Sequence, residues 1–259
     1  MLDKIIDLGA KTRSFIQSLG RGLQLIFLII FSMPTKARHW YFVIEQIFFI
    51  GILSLVIIII SGAFIGMVVA LQGNYTLQEF GAQSELSRLI SLSVYRELGP
   101  VVSALLFAGR AGSAVTAEVG LMRVTEQISS MEVMGVDPIK YVLFPRFLAG
   151  MISLPLLNIL FCATAIYAGF LVSTVWLGID GGTFLSVMKS GVDFYDDVVQ
   201  GVIKSIIFAL LTIIISLYQG FYTQGGATGL GAATTRTVVY SSLAILGGDF
   251  IVTAFLLGS

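Results

Sequence analysis

Cysteine and histidine are nearly missing: Cys162 and His39 are the only ones in 259 residues. One thiol excludes an internal disulfide, and no Cys/His spacing is available to hold a metal. Charged residues are also scarce, at 12%. None of the patterns GxxxxGK[ST], HExxH or GxSxG occurs. The chain therefore carries no P-loop for ATP, no zincin centre and no nucleophile elbow. No catalytic residue, metal or cofactor is expected on it, so an active process must draw its energy from a partner. Fifteen basic residues balance fifteen acidic ones, and nucleic acid is not an expected partner. A cleavable signal peptide is not expected either, because Asp3 and Asp7 spoil a positive amino-terminal region.

What is abundant is apolar: 56% of residues are hydrophobic and the mean hydropathy is +0.95. Apolar runs near 20 residues long predict an all-α integral membrane protein, folded as one domain over residues 1–259. Residues 1–33 place Ile5, Ile6, Phe15, Leu19, Leu23 and Ile26 near helical spacing among Lys4, Lys11, Arg13 and Arg21. That pattern predicts an amphipathic helix lying in the interface. Five spans follow, over residues 47–71, 89–108, 147–176, 198–220 and 237–257. Polar loops are expected over residues 72–88 and 178–197, and a flexible glycine-rich connection over 225–231.

Five spans put the termini on opposite sides. One side receives six Lys and Arg in residues 1–42, four from Arg110 to Arg146, and Arg236; the other receives only Arg88 and Lys189. The positive-inside rule makes the N-terminus cytoplasmic and turns the C-terminus outward. Residues 118–135 mix Glu118, Arg123, Glu126 and Glu132 with Leu121, Met122, Ile128, Met131 and Met134 and close at Gly135. They predict a cytoplasmic amphipathic element, and its methionines suit an adaptable protein contact. Small residues recur every fourth position, as Gly62/Gly66/Ala70, Ala108/Gly112/Thr116/Gly120 and Gly109/Ser113/Ala117. That spacing lets helix backbones approach closely in lipid.

Four charges remain inside spans: Arg96, Glu97, Lys204 and Asp249. Counted from the outer helix ends, they lie in one layer about 9 to 12 Å deep. A lone charge at the bilayer centre costs about 2.5 to 3.5 kcal/mol on insertion scales, so these need partners or water. Two readings stay open. The charges staple spans two, four and five together, or they line an outward-facing cavity for a charged headgroup.

The segment RELGPVVSALLFAGRAGSAVTAEVGLMRVTEQISSMEVMGVDP (96–138) closely resembles the MlaE/YrbE permease family. SGAFIGMVVALQG (61–73), SLPLL (153–157), the IKS around Lys204 and ATTRTVVYSSLAILGGDF (233–250) share that resemblance, in the same order and over nearly the whole chain. The resemblance implies the membrane subunit of a bacterial inner-membrane ABC transporter that moves phospholipid between the inner and outer membranes and maintains outer-membrane asymmetry. It implies a second copy of the chain, a cytoplasmic MlaF-like ATPase pair that binds ATP and magnesium, a MlaB-like STAS protein and a periplasmic MlaD-like MCE hexamer. By position, it implies an ATPase-coupling helix over residues 118–135, including Glu118, Arg123, Glu126, Gln127, Met131, Glu132 and Gly135. It also implies a lipid pocket at the dimer interface involving Val69, Thr76, Leu77 and Phe80, together with the buried charges. An ion- or proton-coupled carrier of a small amphiphile remains the alternative, although five spans without a repeat are unlike such carriers. A lipid-modifying enzyme is weaker, for want of a nucleophile and base.

Overall fold

The computed structural model describes residues 17, 20–22, 24–29, 31 and 38–257. Most of the interfacial helix expected over residues 1–33 lies outside the described residues. Within it, residues 20–22 and 24–29 are helical, Leu25 and Ile29 are buried, and the Arg21 guanidinium stacks 5.6 Å from the Tyr222 ring centre.

The described residues form helices and no strand. Five of the helices are long and apolar enough to cross a membrane: Trp40–Glu79, Gln83–Val124, Ile139–Trp176, Phe194–Phe221 and Gly226–Phe255. This is a multi-pass membrane protein. The helices are longer than the apolar runs suggest, which corrects three expectations. Residues 72–79 are the last two turns of the first span rather than a loop. The stretch taken as a flexible glycine connection is helical from Gly226 onward. The loop expected over residues 178–197 carries a helix of its own, Gly181–Gly191, begun by Asp180, whose Oδ2 accepts from the Thr183 amide at 2.8 Å.

The third span is the centre of the bundle, packed against the first and the fourth; the second packs against the fourth and fifth. Small residues permit these contacts. A side chain on Gly66 would run into the Ala165 backbone, and one on Gly62 would come within 2.9 Å of the Phe161 carbonyl. In the second span the ladder ending at Gly120 faces the fourth span, and Thr116 Oγ1 lies 3.0 Å from the Ser216 carbonyl and 2.8 Å from Thr237 Oγ1. The parallel ladder is different. Gly109 has nothing within 4 Å of where a Cβ would stand, so that face is not used for packing within the chain at that position.

The first span breaks at Gly51, where a tight turn over Ile52–Ser54 separates its two helices. Arg110 bridges to that break: its Nη1 donates to the Phe49 carbonyl at 2.6 Å and lies 3.3 Å from Ser54 Oγ.

Candidate functional site

Pro100 explains where the site begins. It has no N–H, so the carbonyl four residues earlier, on Arg96, loses its α-helical donor. The helix answers with a wider π-helical turn over Val94–Leu98. The start of the fourth span is π-helical too, over Phe194–Val199. Such turns re-aim the side chains they carry and occur often at functional sites. Here they carry Arg96 and Glu97 on one span and Asp197 on the other.

Lys204 sits among them with its side chain only 3% exposed. Its Nζ donates to the freed Arg96 carbonyl at 2.9 Å and to Thr253 Oγ1 at 2.7 Å. Glu97 Oε1 lies 2.9 Å away and Asp249 Oδ1 3.1 Å. The Asp249 contact is one of charge, since no aligned hydrogen bond reaches that oxygen. The ammonium thus makes two hydrogen bonds, to a carbonyl and a hydroxyl, and lies in ion-pair contact with two carboxylates. Lys204 is therefore a buried keystone joining spans two, four and five.

Arg96 is placed differently. Its Nε donates to Asp197 Oδ1 at 2.5 Å, and its side chain stays 42% exposed. Asp197 is buried, and its other oxygen accepts the Asp193 amide at 2.7 Å. Among the described residues no hydrogen bond reaches Nη1 or Nη2 of Arg96, so one clamped guanidinium presents two free NH2 groups. The sequence reading placed Asp197 in the outer acidic loop and left Thr253 out altogether. Each had a helical signal: Asp197 lies seven residues before Lys204, and Thr253 four after Asp249, so each shares a face with its neighbour.

The structure thus brings Arg96, Glu97, Lys204 and Asp249 together as one layer, with Asp197 added. Val69, Thr76, Leu77 and Phe80 fall on one face of the first span, with Thr76 and Phe80 exposed and the other two half-buried. None of them lines the two neighbouring cavities of about 310 and 150 Å³, which share Tyr95 and Ala163.

At the other end of the bundle, the element expected over residues 118–135 is two pieces. Glu118 and Arg123 belong to the last turns of the second span, which ends at Val124. Glu118 takes a two-pronged bond from buried Arg146, Nη2 to Oε1 at 2.7 Å and Nε to Oε2 at 3.3 Å. Arg123 lies over the Phe221 ring at 5.6 Å. The chain then turns at Glu126, in the left-handed region at φ 60°, into a separate short helix, Gln127–Val133. Ile128 anchors this helix in the core, Met131 is half-buried, and Glu126, Gln127, Glu132, Val133, Met134 and Gly135 are exposed. Its exposed side is therefore a mixed acidic and apolar surface held on a stapled base.

Comparison with known proteins settles the family. The model of the family described as Permease MlaE matches residues 43–255. The chain belongs to the MlaE permease family. It is 48% identical over 255 residues to the intermembrane phospholipid transport system permease protein MlaE of Haemophilus influenzae, covering 98% of each chain. It is 35% identical over 247 residues to a probable ABC transporter permease protein of Rickettsia bellii, covering 95% of each. MlaE-type sequence also extends to chloroplasts: the Arabidopsis thaliana protein TRIGALACTOSYLDIACYLGLYCEROL 1 is 32% identical over 238 residues, covering 91% of this chain and 68% of that protein.

Proposed function

We propose that this chain is the membrane permease subunit of an ABC transporter that moves phospholipid between the inner and outer membranes of a bacterium and so maintains outer-membrane lipid asymmetry. The observation that carries the reading is Arg96: a guanidinium on a membrane span, fixed through Nε with both Nη groups free. That is the geometry a phosphate accepts. Lys204, buried among its partners, holds the layer while Arg96 meets the phosphate, and apolar walls that include Val69, Thr76, Leu77 and Phe80 take the acyl chains. Membership in the permease family and the intermembrane phospholipid transport for which the Haemophilus relative is named support the same cargo.

In this reading the chain lies in the inner membrane, and the Lys and Arg asymmetry supports a cytoplasmic Gln127–Val133 helix and an Asp197 end toward the periplasm. The exposed Glu126, Gln127, Glu132, Val133 and Met134 then form the seat for a cytoplasmic ATPase that binds ATP and magnesium. Glu118 and Arg146 fix the loop's base, so that closure of the ATPases moves spans two and three. A second copy of the chain, a STAS-domain protein and a periplasmic MCE-domain hexamer complete the assembly.

Native mass spectrometry of the detergent-extracted assembly tests this reading. It should show two permeases with an ATPase pair and bound phospholipid. A permease that carries no ATPase and yet accumulates amphiphile under a proton gradient overturns it in favour of a coupled carrier.

A further inference from the structure

The charge layer does not balance. Arg96 and Lys204 bring two positive charges; Glu97, Asp249 and Asp197 bring three negative ones, and all five are joined by direct contacts. The surplus has a location. Asp197 is buried against Arg96, and Asp249 is mostly buried against Lys204. Glu97 meets Lys204 most closely through Oε1, no hydrogen bond reaches its Oε2 among the described residues, and its side chain is 45% exposed. Its neighbour Arg96 is exposed to a similar degree and has its two Nη groups free. Two adjacent, half-open groups of opposite sign therefore stand on one π-helical turn, one ready for an anion and the other for a cation.

Resting on the reading of Arg96 as the phosphate contact, we infer that the site selects a zwitterionic headgroup, a phosphate followed by a primary ammonium, with the phosphate on Arg96 and the ammonium on Glu97. The physical argument is one of surplus charge at membrane depth. A zwitterion leaves the layer's net charge unchanged and satisfies both open groups. A headgroup with phosphate alone adds a second surplus negative charge and leaves the Glu97 oxygen unpaired, which is unfavourable where water is scarce. Glu97 is then the specificity-determining residue, and Asp197, which holds Arg96 by Nε, is a positioning residue.

The test uses the intact transporter complex, reconstituted in bilayers of equal phosphatidylethanolamine and phosphatidylglycerol, re-extracted in mild detergent and analysed for retained lipid by mass spectrometry. The ethanolamine lipid should be enriched over the glycerol lipid by about tenfold, the scale of one charge-assisted hydrogen bond. Glu97→Gln should bring the ratio back toward that of the bilayer. Glu97→Asp keeps the charge and should keep the preference, which covers the case in which Glu97→Gln does not fold. A wild-type ratio equal to the bilayer's overturns the selectivity and leaves the phospholipid reading standing. A complex that retains neither lipid overturns both.

Discussion

Arg96 and Asp197 are 101 residues apart in sequence and joined by a 2.5 Å contact between Nε and Oδ1, each presented by a π-helical turn in its own span. The pair connects the second span to the very start of the fourth, just above the Lys204 keystone. An anchored, half-open arginine beside a closed lysine separates two roles that composition alone merges: one cation holds helices, the other is free to hold a ligand.

Removing the keystone should be costly. Lys204→Met strands the carboxylates of Glu97 and Asp249 beside a greasy side chain, and breaking a buried ion pair on one side costs about 3 to 5 kcal/mol. The detergent-solubilised variant should melt well below the parent. Adding Glu97→Gln and Asp249→Asn to it should recover much of the loss, because the stranded charges are then gone. No recovery would mean that Lys204 acts through something other than these two partners.

Packing between the first and third spans should tolerate nothing at Gly66. Gly66→Leu forces a side chain into the Ala165 backbone, and overpacking of that kind costs about 3 kcal/mol. Gly109→Ala meets only open space within the chain and should leave the monomer's melting temperature unchanged or slightly raised. Thermal melts of the two variants side by side check the assignment of one ladder to the chain's own core.

Coupling should depend on the staple at the base of the short helix. Glu118→Gln keeps the shape but removes the charge that meets Arg146 at 2.7 Å. The expected outcome is a transporter that still hydrolyses ATP but moves several-fold less lipid per ATP. An unchanged ratio in a reconstituted transport assay would show that the Gln127–Val133 helix does not work through this pair.

Outside the membrane, Asp180 gives a pH signature. The Thr183 amide, and then its hydroxyl, hold the Asp180 carboxyl below its ordinary range. A carboxylate with a lowered folded-state pKa contributes stability above its unfolded pKa and loses it as pH falls through the folded one. Hydrogen-exchange protection factors in Gly181–Gly191, taken relative to the intrinsic rate at each pH, should therefore hold near neutral pH and fall only below the usual carboxylate range. Asp180→Asn, which can still accept the amide bond but does not titrate, should remove that acid dependence.

Much of the architecture was readable beforehand, and the failures share a cause. Hydropathy reports how far a helix stays in hydrocarbon, and it does not report where the helix stops. The polar turns Gln72–Glu79 and the glycine-rich turns after Gly225 were read as loops although both are helical. The four-charge layer was legible because Arg96, Glu97, Lys204 and Asp249 stand out against apolar neighbours. Asp197 was not, because three other aspartates precede it in an acidic stretch and nothing but its seven-residue offset from Lys204 marks it. The single amphipathic element expected over residues 118–135 is divided, since Glu118 and Arg123 continue a span whose amphipathic end has no break until the chain turns left-handed at Glu126.

The most direct measurement is ATP-driven phospholipid transfer by the reconstituted complex carrying Arg96→Gln, with ATPase activity and subunit composition followed in the same sample. The account predicts an assembled complex, with its ATPase present and active, that retains several-fold less phospholipid and transfers it correspondingly slowly. Native lipid retention and native transfer rate in that variant would contradict it.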